Sequence, residues 1–151
     1  MIELGKKNKL EILRDTSVGL FLGDEEGNDV LLPNKYVPEA YEIGKSIEVF
    51  CYLDYDERPV ATTLEPYIML GEFRLLQVAE INEFGAFMQW GLEKHLLVPF
   101  REQRDKMKEG QWYVVHCYLD SRSGRLVASN KLDKFLSNES LQFREWDEVD
   151  L

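Results

Sequence analysis

Apolar and polar residues alternate along most of this chain with the period of two that is typical of β-strands. In YVVHCYL (113–119) every odd-numbered position is apolar, and IEVFCYL (47–53) repeats the same pattern. Since alternate side chains of a strand point to opposite faces, Cys51 and Cys117 are both predicted to face a core. The chain therefore reads as a β-protein with two similar halves.

Five such runs occur in each half. The pattern predicts strands at 8–14, 18–22, 29–33, 46–54 and 58–63, and again at 73–81, 84–90, 95–99, 111–120 and 124–130. A polar stretch with some helical character, 101–109, lies between the third and fourth runs of the second half. No helix of 10–15 residues separates successive strands, which argues against βαβ units and a parallel sheet.

The tetrapeptide CYLD shows how the halves are related. It starts at Cys51 and at Cys117, an offset of 117 − 51 = 66 residues that holds from residue 4 to residue 54 and slips by one afterwards. A repeat of this length predicts a tandem duplication of one small domain. We place the first domain at 1–67 and the second at 68–136, and interpret the acidic tail 137–151 as the start of a further domain.

Five short antiparallel strands with a short helical segment between the third and fourth predict a small closed barrel. The oligonucleotide/oligosaccharide-binding (OB) fold is the usual solution at this size. The predicted fold class is therefore all-β, with two tandem five-stranded barrels. A pair of SH3-like barrels is the alternative, because periodicity alone does not separate the two.

Charge and motif content narrow the function. The chain has a net charge of −10 and a pI near 4.7, which argues against indiscriminate nucleic-acid binding. Residues 1–67 carry 7 Lys and Arg against 14 Asp and Glu, whereas residues 68–136 carry 10 against 9. A polyanion is therefore expected to meet the second copy if it meets either.

No catalytic motif is recognisable, so we predict a protein that is not an enzyme and has no catalytic residues, cofactor or small-molecule substrate. Two cysteines and two histidines show no metal-ligand spacing, and the acidic run 24–29 is interpreted as a solvated turn. With no apolar leader or membrane segment visible, a cytoplasmic protein with reduced thiols and no membrane partner is expected.

The most informative stretch is EFGAFMQW, residues 83–90. Alternation places Ala86 and Met88 on one face and Phe87 on the other, with Phe84 at the strand start. Exposed phenylalanines are stacking platforms for unpaired bases. The alternative is that one or both rings pack against the neighbouring barrel, and the pattern leaves both interpretations open.

Together with LLVPF (96–100), these residues resemble the RNA-binding domain first recognised in ribosomal protein S1. The resemblance implies an OB barrel that binds single-stranded RNA through the aromatics, the histidine and the arginine of its motif. Phe84, Phe87, Asp120 and Arg125 match that motif position by position and are the RNA-binding candidates. The family's histidine is replaced by Pro99, and Phe100 is a candidate for the missing ring. In the hairpin, Asp120 either orients Arg125 for a phosphate or only forms the turn.

The first copy matches the same motif less well. Phe21, Asp54 and Arg58 align, but Val18 replaces Phe84 and Pro33 stands at the histidine position. Phe21 and Arg58 are thus weaker RNA-binding candidates, in a copy that looks degraded as an RNA site.

A narrower resemblance is carried by LGEF, GAF, LEKHLLVPF, CYLD and ASNKLDKFL, which are similar to the bacterial conserved virulence factor B family. It implies further domains after this segment. The leading hypothesis is a non-catalytic, regulatory single-stranded RNA-binding module in which the second barrel is the reader. The rival hypothesis is a protein-interaction module that docks on a basic partner such as a ribosomal protein, on the ribosome or elsewhere. The two hypotheses differ in what the exposed phenylalanines contact.

Overall fold

The computed structural model describes residues 1–54 and 56–136, so the predicted tail domain at 137–151 lies outside the described residues. The chain divides into two compact units, Met1–Glu65 and a second that begins at Pro66. In the described part, no helix is long and apolar enough to cross a membrane.

The described residues form ten strands, five in each unit. The first contains β1 (Lys7–Asp15), β2 (Gly19–Gly23), β3 (Asp29–Pro33), β4 (Ser46–Leu53) and β5 (Pro59–Thr62). The second contains β6 (Phe73–Asn82), β7 (Gly85–Gln89), β8 (Leu96–Pro99), β9 (Trp112–Leu119) and β10 (Leu126–Ser129), followed by a one-turn helix, α1 (Asp133–Leu136). The ten predicted strands are confirmed, with ends that differ by no more than two residues.

The predicted helical stretch at 101–109 is largely wrong. Only a 3₁₀ turn forms, at Phe100–Glu102, and the first unit has its equivalent at Asn34–Tyr36. Both turns directly follow a proline that ends the third strand. The backbone is extended at both prolines and again at Val37 and Gln103, the residues that follow the turns, so neither turn continues as a helix.

The sheets have the predicted barrel topology. The first closes in the order β1-β2-β3-β5-β4, and the second runs β10-β9-β6-β7-β8 with β8 lying against β10. All pairings are antiparallel except that of β3 with β5, where Leu31 lies opposite Val60. An odd number of strands cannot alternate in direction all the way around a closed ring, so one parallel pairing is required.

The two cores are built from equivalent positions. In the first unit the buried cluster is Leu10, Ile12, Leu20, Leu22, Val30, Leu32, Val49, Cys51 and Ala61. The offset of 66, or 67 after the CYLD motif, gives Leu76, Val78, Ala86, Met88, Leu96, Val98, Val115, Cys117 and Ala128, and all of these are buried. The repeat therefore preserves the core position by position, with size changes such as Leu20 to Ala86.

The long first strand of each unit carries an irregularity at the same place. The pairing with the next strand shifts register between Ile12 and Arg14, and again between Val78 and Glu80. Bulges increase local twist and bend a strand, which a small barrel needs in order to close.

Candidate nucleic-acid interface

Two exposed phenylalanines lie at one end of the second barrel. Gly85, the first residue of β7, pairs with Pro99, the last residue of β8. Phe84 directly precedes β7 and Phe100 directly follows β8, so the two phenylalanines lie at adjacent strand ends. Their exposed fractions are 62% and 45%, so both rings are accessible to solvent.

The glycine makes this close approach of the two strand ends possible. Gly85 has a φ of +145°, and a Cβ added to it would lie 2.4 Å from the carbonyl oxygen of Val98. On the other side of the turn, the side-chain oxygen of Asn82 accepts a hydrogen bond of 2.8 Å from the Phe84 N–H. The backbone of Phe84 is therefore held in place by this hydrogen bond, while its ring is exposed to solvent.

Phe87 occupies the outer face of the sheet, as the alternation predicted. Ala86 and Met88 on either side are fully buried, and Phe87 is half-buried opposite Leu97 of β8 and Glu80 of β6. By the repeat offset, Leu97 and Val127 correspond to the pair Leu31 and Val60 of the first barrel. Since Leu97 also lies opposite Phe87, the single strand β8 separates Phe87 from the start of β10.

The hairpin between β9 and β10 holds the last two predicted residues. The Asp120 N–H donates to the Arg125 carbonyl oxygen at 2.8 Å, while the Asp120 carboxylate accepts hydrogen bonds from the Ser123 N–H (3.2 Å) and hydroxyl (2.7 Å). These bonds hold the pKa of the Asp120 carboxyl below its usual range. The Asp120 carboxylate thus stabilises the turn. Arg125, which is half-buried, directly precedes β10.

The predicted residues fall into two groups along the barrel. Four antiparallel pairings lead from β10 through β9, β6 and β7 to β8, so β8 and β10 run in the same direction. The exposed rings at the end of β8 are therefore remote from Arg125, which precedes the start of β10. Four strand residues span about 13 Å at ~3.3 Å per residue. Phe87 lies on the side of Arg125, and Phe84 with Phe100 lies at the other end.

Arg101 is a candidate that the sequence reasoning missed. It is exposed and follows Phe100 directly, so it lies at the same end of the barrel as Phe100. The repeat contains a signal for it: the equivalent residue of the first copy is Lys35, so both copies have a cation here.

The first barrel presents a different surface at the same positions. The Arg14 guanidinium lies 4.4 Å from the centre of the Phe21 ring, and Arg14 also approaches Asp29 at 3.5 Å. Val18 takes the place of the exposed Phe84. One face of the Phe21 ring is therefore covered by the chain's own guanidinium.

Arg58, the other first-barrel candidate, takes part in carboxylate contacts. Its Nε lies 3.6 Å from Asp54, and its NH2 group lies 3.1 Å from Asp56. The hairpin has one residue fewer than its second-barrel equivalent, which explains the slip of the repeat offset from 66 to 67. Both hairpins nevertheless close with the same backbone bond, from Asp54 N–H to Arg58 oxygen (2.9 Å) in the first.

The acidic run of the first barrel forms a hydrogen-bonded turn. Both Asp24 carboxylate oxygens accept bonds within it, from the Glu26 and Asn28 N–H groups and from the Asn28 side chain, all at 2.9 Å. Across residues 1–54 and 56–136, no group of three or more His, Cys, Asp or Glu side chains is arranged to hold a metal ion.

Comparison with known proteins agrees with this architecture. The family model described as "S1 domain" matches residues 4–64 and again 70–131. An uncharacterised protein of Bacillus subtilis, YitL, is 36% identical over 95 residues, which is 62% of this chain and 32% of that protein. The chain thus spans about a third of the length of this relative.

A solved structure shares the fold. A multidomain protein from Streptococcus pneumoniae, described as having nucleic-acid-binding domains, superposes with a TM-score of 0.69 at 20% identity, over 83% of this chain and 45% of that one. At this identity the likeness shows the fold alone. With the tandem family match covering most of its length, the chain belongs to the S1 domain family.

Proposed function

We propose that the second barrel binds single-stranded RNA without catalysing a reaction, in a regulatory role. The observation that carries the proposal is the pair of exposed rings, Phe84 and Phe100, on strand ends joined by the Gly85–Pro99 pairing. Stacking of one base on an aromatic ring contributes about 1–3 kcal/mol. Only unpaired bases offer their faces in this way, which favours a single strand over a duplex.

Phe87, Asp120 and Arg125 extend the proposed surface away from the ring pair. Phe87 supplies a half-buried ring, Arg125 a cation, and Asp120 the turn that holds Arg125 at the strand start. The S1 family assignment and the fold shared with a protein that has nucleic-acid-binding domains support this use of the surface. A role in virulence regulation, which the narrower resemblance implies, belongs to the same proposal.

The experiment is a fluorescence anisotropy titration of a labelled 12-nucleotide single-stranded RNA at low and near-physiological salt. We expect saturable binding that weakens with salt and drops about tenfold in Phe84→Ala, with a comparable loss in Arg125→Ala. Val18→Ala and Arg58→Ala, the equivalent changes in the first barrel, serve as matched controls and are expected to bind as the wild type does. Absence of saturable binding by the folded wild type at low salt would overturn the proposal.

A second candidate function rests on a different face. On the outer side of β6 and β9, Leu75 and Trp112 are 45% and 57% exposed, whereas the equivalent positions of the first barrel are Lys9 and Ser46. Exposed tryptophan on an apolar patch is typical of protein interfaces. This surface fits docking on a protein partner, for which the ribosome and its basic proteins are the candidates given the net charge of −10.

The two functions separate in one co-sedimentation experiment with ribosomes. If the second candidate is correct, Trp112→Ser abolishes co-sedimentation while RNA affinity stays unchanged. Co-sedimentation that is lost in Phe84→Ala but retained in Trp112→Ser would instead assign ribosome binding to the RNA surface.

A further inference from the structure

The buried carboxylate of Glu102 anchors the Phe100–Glu102 turn to the second barrel. Glu102 is 8% exposed, and its Oε1 accepts hydrogen bonds from the Ser129 hydroxyl (2.8 Å) and from Lys134 Nζ (2.7 Å). Its carbonyl oxygen also accepts the Asn130 N–H at 2.8 Å. Because the last residue of the turn is fixed inward at three points, the two residues before it are directed to the surface.

Those two residues are an aromatic ring and a cation. Phe100 and Arg101 are both exposed, and Phe84 and Phe100 each lie one residue beyond the paired strand ends Gly85 and Pro99. Arg101 is therefore presented at the same end of the barrel as the ring pair. A guanidinium provides several donors in a planar fork that suits phosphate oxygens, and it remains charged at every physiological pH.

The charge of Arg101 also reaches the other half of the proposed surface. Hydrogen bonds from Ser123 are the main cause of the lowered pKa of Asp120, and the Arg101 charge contributes to it. Burial raises the pKa of Tyr118 on β9, and Arg101 opposes that rise. These contributions support the placement of Arg101 on the proposed surface, which rests on its exposure and on its position one residue after Phe100.

The first barrel shows what this turn looks like without the same surroundings. Lys35 is the equivalent cation, but its neighbours are Asn34 and Tyr36 in place of Phe100 and Glu102. Tyr36 packs against the first core, and Lys35 Nζ lies 5.4 Å from the centre of that ring. The combination of an exposed ring, a cation and a buried carboxylate anchor therefore belongs to the second barrel.

We propose that Arg101 binds a phosphate of the single-stranded RNA backbone, next to the bases that stack on Phe84 and Phe100. This inference rests on the proposed function and adds a contact that the S1 motif positions do not include. It makes the Phe100–Arg101 dipeptide a unit in which one residue stacks and the next neutralises charge.

The test is the salt dependence of RNA binding. For a single strand, the slope of log K against log salt falls by about 0.7 for each phosphate contact that is lost. We would titrate a labelled 12-nucleotide oligouridylate at several salt concentrations with wild type, Arg101→Gln, Arg101→Lys and Lys35→Gln. Thermal unfolding of each variant establishes that it is folded.

The expected result is a slope reduced by about 0.7 in Arg101→Gln, with the wild-type slope in Arg101→Lys and in the matched first-barrel control Lys35→Gln. Phe84→Ala is expected to weaken binding at every salt concentration while keeping the wild-type slope. A wild-type slope in Arg101→Gln overturns the Arg101 inference and leaves the proposed function standing. Failure of the wild type to bind oligouridylate or any other single-stranded RNA overturns both.

Discussion

Lys134 Nζ lies 2.7 Å from Oε1 of Glu102, so the short helix after β10 is ion-paired to the turn that presents Phe100 and Arg101. The side chain of Glu102 is 10% exposed and that of Lys134 is 48% exposed, which makes this a pair at the edge of the core. This ion pair therefore links α1 to the turn that carries Phe100 and Arg101 of the proposed RNA surface.

The first prediction concerns this pair. We expect Lys134→Met to lower the free energy of unfolding of the second barrel by about 1 kcal/mol at neutral pH, because a largely buried carboxylate loses its cation. Urea unfolding followed by tryptophan fluorescence measures the loss. Lys131→Met, a change at an exposed lysine of the same segment, is the control and is expected to be neutral.

The pH dependence of that loss follows from the pKa of Glu102. Burial raises this pKa, but the hydrogen bonds from Lys134 and Ser129 outweigh burial and hold it below its ordinary value. A depressed folded-state pKa gives stability that is present above the unfolded value of about 4.3 and is lost as the pH falls through the folded value. The difference between wild type and Lys134→Met should therefore shrink below about pH 4, and a difference that is constant with pH would contradict the assignment.

The second prediction concerns His116, which lies between the rings of Phe73 (4.4 Å) and Phe135 (4.1 Å). Burial lowers its pKa, and a hydrogen bond to the backbone of Glu72 only partly opposes this. Its Nδ1 is buried and has no hydrogen-bond partner among the described residues. Protonation of this imidazole is therefore unfavourable in the folded protein.

As the pH falls below the unfolded value of about 6.5, the unfolded chain binds this proton first and stability declines. The first barrel has Phe50 at the equivalent position, so His116→Phe is the natural test. We expect the variant to lose much of the decline in unfolding midpoint between pH 7 and pH 5, whereas His95→Gln should retain it. An unchanged decline in His116→Phe would show that other groups cause it.

The third prediction concerns Gly85. Replacement by alanine would place a Cβ 2.4 Å from the Val98 carbonyl oxygen at a φ of +145°, so β7 and β8 must separate. We expect a loss of roughly 3 kcal/mol, from backbone strain and overpacking together. Gly110→Ala has a similarly unfavourable φ of +83° but open space around its Cβ, and should cost only about 1 kcal/mol. Equal losses in the two variants, measured by urea unfolding, would show that the close approach is unimportant.

The fourth prediction concerns the two thiols. Cys51 and Cys117 are fully buried, and burial raises the pKa of each to about 12. Since only the thiolate reacts readily, neither should react with a disulfide reagent such as DTNB in the folded protein. Both should react once the chain is unfolded in urea. Rapid reaction of one thiol under native conditions would show that its barrel opens locally.

The sequence alone determined the strands, the duplication and the two cores. Alternation marked all ten strands because each barrel wall is buried on one face, and the offset of 66 paired Cys51 with Cys117 as two buried core residues. The S1-like motif in the sequence also includes Phe84, whose ring is exposed, and Phe87, whose ring is half-buried. These features are local in the chain or periodic along it, so they can be read directly from residue order.

Only the tertiary structure decided which side chains meet. Periodicity does not encode strand pairing, so the parallel contact of β3 with β5, and the distance between Phe100 and Arg125, became visible only with the barrel topology. Glu102 reads as one more polar residue in a polar stretch, yet it is buried because Ser129 and Lys134 approach it from 27 and 32 residues away. A charged side chain is buried only where the fold brings partners to it. Because the partners of Glu102 are distant in the chain, the order of residues around Arg101 does not reveal the anchored turn that exposes it.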